Sequence, residues 1–434
     1  MRMLLISPLV ILMYLPHILS LTQRASIQRK MVFWLKDKLL MLNIKCNSML
    51  QQLLSHNQDV KRLVDEGFAV EINDRHICVH NVPYVSSNKE VALATLLCPF
   101  NITGYVITQV DHTMFSTGYF PCDREGTSLS KIFLDDHTHQ VTQTITAQCK
   151  FSSRPTNGYK DFHEKFSTYI AILESEAQVL DPKIKAKSFA PIKLTSIDSV
   201  FHYLDTNSSR ANIDFLNQKI ENQKIAIIGL GGTGSYILDF VSKTPVGEIH
   251  IYDNDDFSTH NAFRCPGAAA AEVLKCDISK VDYLFGIYSN IHKHIIPHNE
   301  FVNDGNLSAF SKYDFVFVCV DNNKSRMNIC SYLAESNVKY IDVGLGVNKI
   351  GDMLSASIRV SYPHKQNISV LKNHCGNGNQ EDDLYASNIQ IAELNAFNAV
   401  LAVMKWKRES SYYTGVDDYH TLTYNTSMNK IVYE

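Results

Sequence analysis

Apolar and polar positions change their period twice along the chain. Between residues 31 and 66, Val32, Leu35, Leu39 and Leu40 share one stripe and Leu53, Leu54 and Leu63 follow further on, which is helical spacing. From residue 68 the period shortens to two. FAVEI (68–72), a turn at Asn73-Asp74 and HICVHNV (76–82) alternate as a β-hairpin that is expected to stop at Pro83. GYVITQV (104–110) and HQVTQTITAQCKF (139–151) are further strand candidates. Phe162, Phe166, Tyr169, Ile170 and Leu173 then return to helical spacing and predict an amphipathic helix that closes a first domain. Asp181-Pro182 and Ala190-Pro191 punctuate a linker after it.

From about residue 196 strands and helices alternate. KIAIIGL (224–230) is an unbroken apolar run of the kind that is buried on both faces of a parallel sheet; SYILDFVSK follows as a helix. EIHIYD (248–253), DFVFVCV (314–320) and YIDVGLG (340–346) are the next strands, and NIQIAELNAFNAVLAVMKW (388–406) is a long apolar helix suited to core or subunit packing. The pattern predicts an α/β fold, a Rossmann-like, doubly wound, mostly parallel sheet preceded by a smaller α+β domain. The expected boundaries are a leader or helical segment at 1–48, the α+β domain at 49–195 and the doubly wound domain at 196–434.

Composition narrows the classes. With 45% apolar and 20% charged residues in 434, the chain is long enough for two or three ordinary globular domains and is neither disordered nor collagenous. A net charge of −3 disfavours a dedicated nucleic-acid or anionic-membrane binder. Ten cysteines without any C-x-x-C pair indicate reduced thiols and no structural zinc of the four-cysteine kind. The N-terminus, MRMLLISPLVILMYLPHILS, has the basic start and apolar run of a secretory signal and is short for a membrane span. A hydrophobic anchor and a stretch translated upstream of the true start are the alternatives, with Met31, Met41 and Met49 as later starts.

Candidate chemistry gathers behind the first parallel strand. Gly229-Leu230-Gly231-Gly232-Thr233-Gly234 stands between that strand and a helix, where glycines let phosphates approach the amides of a helix N-terminus. Asp253 ends the next strand and can accept from ribose hydroxyls. To this point NAD, FAD and ATP fit equally. The segment IYDNDDFSTHNAFR then supplies Asp255, Asn261 and Arg264, and Lys280 follows. Hydride transfer leaves a pyrophosphate intact and has no need of such cations, whereas nucleotidyl transfer does, because charge builds on the α-phosphate and the leaving pyrophosphate. Asp321-Asn322, at the end of the third strand, place a carboxylate at the sheet edge where Asp321 can hold Mg²⁺ between phosphates.

GLGGTGS, IYDNDDFSTHNAFR, FVFVCVDNNKSR and YIDVGLG together resemble the ThiF/MoeB/HesA superfamily of ubiquitin-activating-enzyme-like adenylyltransferases, over roughly residues 205–405. The resemblance implies that ATP and Mg²⁺ are used to adenylylate the C-terminal glycine carboxylate of a small ubiquitin-like or sulfur-carrier protein in the cytoplasm. It assigns Gly229, Gly231, Gly232, Gly234, Asp253, Asp255, Asn261 and Asn322 to the nucleotide, Arg264 and Lys280 to its phosphates, and Asp321 to the metal. Arg210 stands where the family often supplies an arginine to a neighbouring subunit, which implies a homodimer. Cys375, in the loop HCGNGNQEDD, is the candidate thioester thiol. Members with structural zinc carry two C-x-x-C pairs, so zinc is not carried over, and the stretch from Arg264 to Lys280, with Ala268–Ala271 inside it, is longer than usual. Residues 49–195 resemble a bacterial domain of unknown role in proteins of the same family. His112 and Cys122 in it are a candidate pair for conjugating-enzyme-like chemistry or else for packing. A relative that activates a carboxyl on modified tRNA and an NAD-dependent oxidoreductase are the alternatives.

Overall fold

The computed structural model describes residues 56–104, 106–190, 199–203, 205–211, 213–362, 389–415 and 419–434. Of the two compact units into which the chain divides, the one made of Gln51–Thr195 and Val200–Glu434 holds every element below.

Helix α1 (Gln58–Asp65) is the described part of the helix expected over 31–66; the remainder of that expectation, with the leader, lies outside the described residues. Strands β1 (Ala69–Asn73) and β2 (His76–Val85) form the expected hairpin. Its turn falls one residue later than read from the sequence. Asn73 pairs with His76, so Asp74 and Arg75 are the two turn residues, and their φ of 44° and 60° are what a primed hairpin turn requires. Strand β2 also runs past Pro83, because beyond His80 it has lost its β1 neighbour and a missing N–H is tolerated there.

Strand β3 (Val91–Thr103) had no clean alternation and was not expected. Strand β4 (Val106–Gln109) pairs with it, and β5 (Thr113–Ser116), β6 (Phe133–Asp135) and β9 (Cys149–Ser152) extend the sheet to the order β1-β2-β3-β5-β9-β6. The run 139–151 is not one strand. It folds back on itself as β7 (His139–Gln140) and β8 (Thr146–Ala147), which pair with each other, before β9 begins. Helix α2 (Phe162–Leu180) starts at Asp161, whose carboxylate accepts from the Glu164 N–H. Its Phe162, Phe166, Tyr169, Ile170 and Leu173 enter one core with Ile77, Leu96 and Phe151 of the sheet.

The second sheet follows short helices α3 (Thr206–Ala211) and α4 (Asp214–Asn217). Strand β10 (Lys224–Ile228) leads into α5 (Gly232–Val241), and β11 (Glu248–Asp253) into α6 (Thr259–Ala262) and α7 (Lys280–Tyr288). Strand β12 (Ile295–Asn299) was not anticipated; β13 (Phe315–Val318), α8 (Asn323–Glu335) and β14 (Lys339–Ile350) come next. Strand β15 (Met353–Ser361), helix α9 (Ala392–Glu409), β16 (Thr421–Asn425) and β17 (Lys430–Tyr433) complete it. The order is β12-β11-β10-β13-β14-β15-β16-β17, parallel through β14 and antiparallel beyond. One face of the parallel part packs Ile225, Ile251 and Phe317 against α5, α7 and α9, and the other packs Ala226, Ile228 and Val316 against α8. Burial on both faces is the reason these strands read as continuous apolar runs. Chain order reverses between β10 and β13, and the crevice outside the C-terminal ends of those two strands is where a doubly wound sheet takes its ligand.

Candidate functional site

The glycine loop is shaped by close packing on three sides and left open on one. Gly229, at φ 89°, occupies the left-handed region, and a Cβ there would stand 2.7 Å from the Cys319 carbonyl oxygen at the end of β13. A Cβ on Gly234 would overlap the Gly229 carbonyl oxygen, and one on Gly232 the side-chain amide of Asn395 on α9. Gly231 differs: among the described residues nothing lies within 4 Å of where its Cβ would be. It is the N-cap of α5, so the one open side of the loop faces first-turn amides that have no partner inside the helix.

Asp253 ties this loop to the next strand. One carboxylate oxygen accepts from the Leu230 N–H at 2.6 Å and the other from the Asp255 N–H at 2.9 Å. The Lys280 ammonium stands 3.5 Å from Asp253 and 2.6 Å from the exposed Asp255, and the Lys280 N–H donates to the Asp255 carbonyl. Lys280 opens α7, where Ser279 is the N-cap, so the helix start delivers it to the site despite the long stretch after Arg264.

Asn261 and Arg264 arrive through α6. Ser258 and Asn261 form a capping box in which the Asn261 Oδ1 accepts from both the Ser258 N–H and its hydroxyl, each at 2.9 Å. That holds Asn261 at 1% exposure with its Nδ2 donor lacking any partner among the described residues, and Arg264 Nε is likewise buried without one among them. Buried donors left unmade cost about 1–3 kcal/mol each, so these two would be satisfied by acceptor oxygens brought to α6. The neighbours register the cations. His260 is held below its ordinary pKa by burial first and then by Arg264 and Lys280, while burial raises the Cys265 thiol against the same two charges.

Across the crevice the Cys319 N–H donates to the Ile228 carbonyl, and the chain then leaves the sheet to expose Asp321. Asn322 serves as N-cap of α8, its Oδ1 accepting from the Ser325 N–H at 2.9 Å. An exposed carboxylate at this edge of the sheet is of the kind that suits Mg²⁺, which prefers one or two protein oxygens plus phosphates. Among the described residues no group of three or more His, Cys, Asp or Glu is placed to hold a metal by itself.

The remaining sequence candidates are Arg210, Cys375, His112 and Cys122. Arg210 falls on α3, and Cys375 lies outside the described residues. His112 and Cys122 have separate partners: the His112 ring meets the Ser152 hydroxyl at 3.0 Å, whereas the Cys122 thiol donates to the Phe120 carbonyl. Cys122 is 5% exposed, and burial raises its pKa, the reverse of what a nucleophilic thiol needs. Asn395 was missed. Its side chain accepts from the Thr233 hydroxyl at 3.0 Å and closes the glycine loop from behind, and the signal for it was an asparagine on the apolar face of a helix.

A model of the ThiF family matches residues 204–403, and one described as a domain of unknown function (DUF6791) matches residues 58–206. The ubiquitin-like modifier-activating enzyme 5 of Drosophila mojavensis is 24% identical over 195 residues, 41% of this chain and 47% of that protein. The tRNA threonylcarbamoyladenosine dehydratase of Haemophilus influenzae is 25% identical over 134 residues, 29% of this chain and 49% of its own length. The chain thus spans about half the length of these relatives. Among solved structures, E. coli MccB crystallised with ATP superposes with a TM-score of 0.40 at 19% identity, covering 53% of this chain and 69% of that one.

Proposed function

Residues 204–403 are a ThiF-family domain, and from that premise we propose that the chain is an ATP-dependent adenylyltransferase acting on a carboxylate, specifically the C-terminal glycine of a ubiquitin-like or sulfur-carrier protein. What supports the reading is the open side of the glycine loop, the donors of Asn261 and Arg264 that are buried without a partner among the described residues, the Lys280 ammonium beside Asp253, and the exposed Asp321 after β13.

In this reading the substrate carboxylate oxygen attacks the α-phosphorus of ATP, an acyl adenylate forms and pyrophosphate leaves. The α5 amides and Gly231 receive phosphate oxygens, and Arg264 and Lys280 stabilise the charge that grows on the α-phosphate and the leaving group. Lys280 must exchange Asp255 for phosphate as the nucleotide enters. Asp321 would hold Mg²⁺, which neutralises phosphate charge when bound. Asp253 orients the loop, with its remaining lone pairs available to the ribose. A homodimer that shares Arg210, a cytoplasmic setting, domain limits near residues 195 and 196, and a thioester on Cys375 belong to the same proposal. The Haemophilus relative's name favours a second reading, a carboxyl on modified tRNA, against which the net charge of −3 weighs because RNA binding calls for a basic groove.

Calorimetry decides between nucleotides: ATP with Mg²⁺ binds and NADH does not, and the opposite result ends the proposal. Asp321→Ala keeps the melting profile of the wild type while ATP–pyrophosphate exchange falls on the order of 10²–10³-fold, the usual cost of one preorganised charge contact. Exchange near the wild-type rate would put the metal elsewhere.

A further inference from the structure

Behind the exposed Asp321 lies a buried charge network that the proposed chemistry does not use. Asp342, on β14, is 0% exposed and sits between two guanidinium groups. Arg359, from β15, donates to its Oδ2 at 2.6 Å and to the Ser361 hydroxyl at 2.8 Å. Arg326, from α8, places Nε 3.1 Å from its Oδ1. Gly344 makes the room, since a Cβ there would stand 3.0 Å from an Arg359 nitrogen. The remaining arms of Arg326 reach forward: Nη2 donates to the Val320 carbonyl at 2.6 Å and to that of Val343 at 3.4 Å, and Nη1 to the Asn323 side chain at 3.0 Å.

The Val320 carbonyl belongs to the same peptide unit as the Asp321 N–H. Fixing that carbonyl fixes the orientation of the peptide from which the Asp321 side chain departs. One carboxylate between two arginines fixes Arg326 in turn, because each guanidinium is planar and keeps its fork only if its partner cannot move. We propose that Asp342 and Arg359, acting through Arg326 on the Val320–Asp321 peptide, are positioning residues for the Mg²⁺-binding carboxylate. The inference rests on the adenylylation reading and deepens it: the carboxylate offered to the metal is exposed, and its aim is set from the buried side by a charge triad of the strand-to-helix junction. Groups that orient a metal ligand typically govern metal affinity by 10–100-fold.

The test uses the full chain and a fluorescent ATP analogue, titrated once in Mg²⁺ and once in EDTA, with melting curves for every variant. Arg326→Gln releases the Val320 carbonyl but leaves Asp342 paired with Arg359, so it is the variant expected to stay folded. It reduces the ratio of Mg²⁺ to EDTA affinities by about tenfold with no change in EDTA. Arg326→Lys, which can reach one carbonyl but not hold the fork, recovers part of the ratio. Asp342→Asn reproduces the Arg326→Gln shift in whatever fraction remains folded. A wild-type ratio in Arg326→Gln overturns the positioning role while leaving the adenylylation reading intact. Equal loss in Mg²⁺ and in EDTA overturns it too, since that marks a general structural role. A wild-type chain that binds no ATP analogue under either condition overturns the adenylylation reading and the inference with it.

Discussion

Gly231 and Gly234 stand three positions apart and answer to different constraints. Gly234 has no room for a methyl group beside the Gly229 carbonyl, whereas Gly231 faces open space. Gly234→Ala is therefore expected to lower stability by ~2 kcal/mol or more through overpacking, seen as a lower denaturant midpoint. Gly231→Ala changes stability by less than about 1 kcal/mol, the scale of an N-cap effect, yet weakens ATP binding roughly tenfold, the worth of about 1.4 kcal/mol of lost contact. If both variants merely unfold, the open side of the loop is not where phosphate lies. Asp342→Asn leaves two buried guanidiniums uncompensated and is expected to cost about 3–5 kcal/mol in unfolding free energy. The glycine loop between β10 and α5 and the place of Asp253 at the end of β11 were legible because the strand-loop-helix pattern marks them locally; the chemical roles of Asp253, Arg264 and Asp321 remain part of the proposal. Asn395 and Asp342 were not legible, because their roles depend on neighbours more than a dozen residues away, and nothing local marks an asparagine in a helix or an aspartate in a strand as buried and paired.

At the scale of elements, β10, β11, β13 and β14 announced themselves by apolar runs, since both of their faces are covered. Strand β12 did not: IIPHN is a sheet edge that carries a proline and a histidine, and it owes its place to parallel pairing with β11. Just before it, His292 is wholly buried with both ring nitrogens committed, Nε2 donating to the Val246 carbonyl at 3.0 Å and Nδ1 accepting from the His294 N–H at 3.2 Å. That tautomer is neutral, and burial lowers the pKa from 6.5 to about 4. Between those values the unfolded chain takes up a proton that the native ring refuses, so this contribution is complete above pH 6.5 and is lost as the pH falls toward 4. The loss is on the order of 3 kcal/mol at most. Denaturation series across that range should show stability falling with acid, and His292→Gln should flatten the slope; an unchanged slope would assign it to other groups. Sequence periodicity also failed for β3, whose long ladder with β2 carries a register shift between Val79 and Val82, and for β7 with β8, where a short pairing and its turn decide the structure.

For the whole molecule, composition and the switch from period-two hairpins to alternating strands and helices were enough to anticipate an α+β part followed by a doubly wound one. The antiparallel continuation through β15, β16 and β17 was not, because its strands are half-exposed and β16 returns to β15 only after helix α9. Among the described residues the cores draw on side chains from Val60 onward, so a chain begun at Met49 is expected to melt within a few degrees of the full one; aggregation of the shorter chain would place residues 31–48 in a core. The contact between Thr233 and Asn395 spans 162 residues and closes the glycine loop with a side chain from a helix near the C-terminal end of the chain. During synthesis at roughly 5–20 residues per second, the ribosome needs on the order of ten seconds to deliver α9 after α5 has emerged. For that interval the loop exists without the side chain that backs it. On the adenylyltransferase reading, competence to bind nucleotide would then be acquired after most of the parallel sheet has been made, and a nascent chain stalled before Asn395 should hold no ATP even with strands β10 to β14 already outside the tunnel.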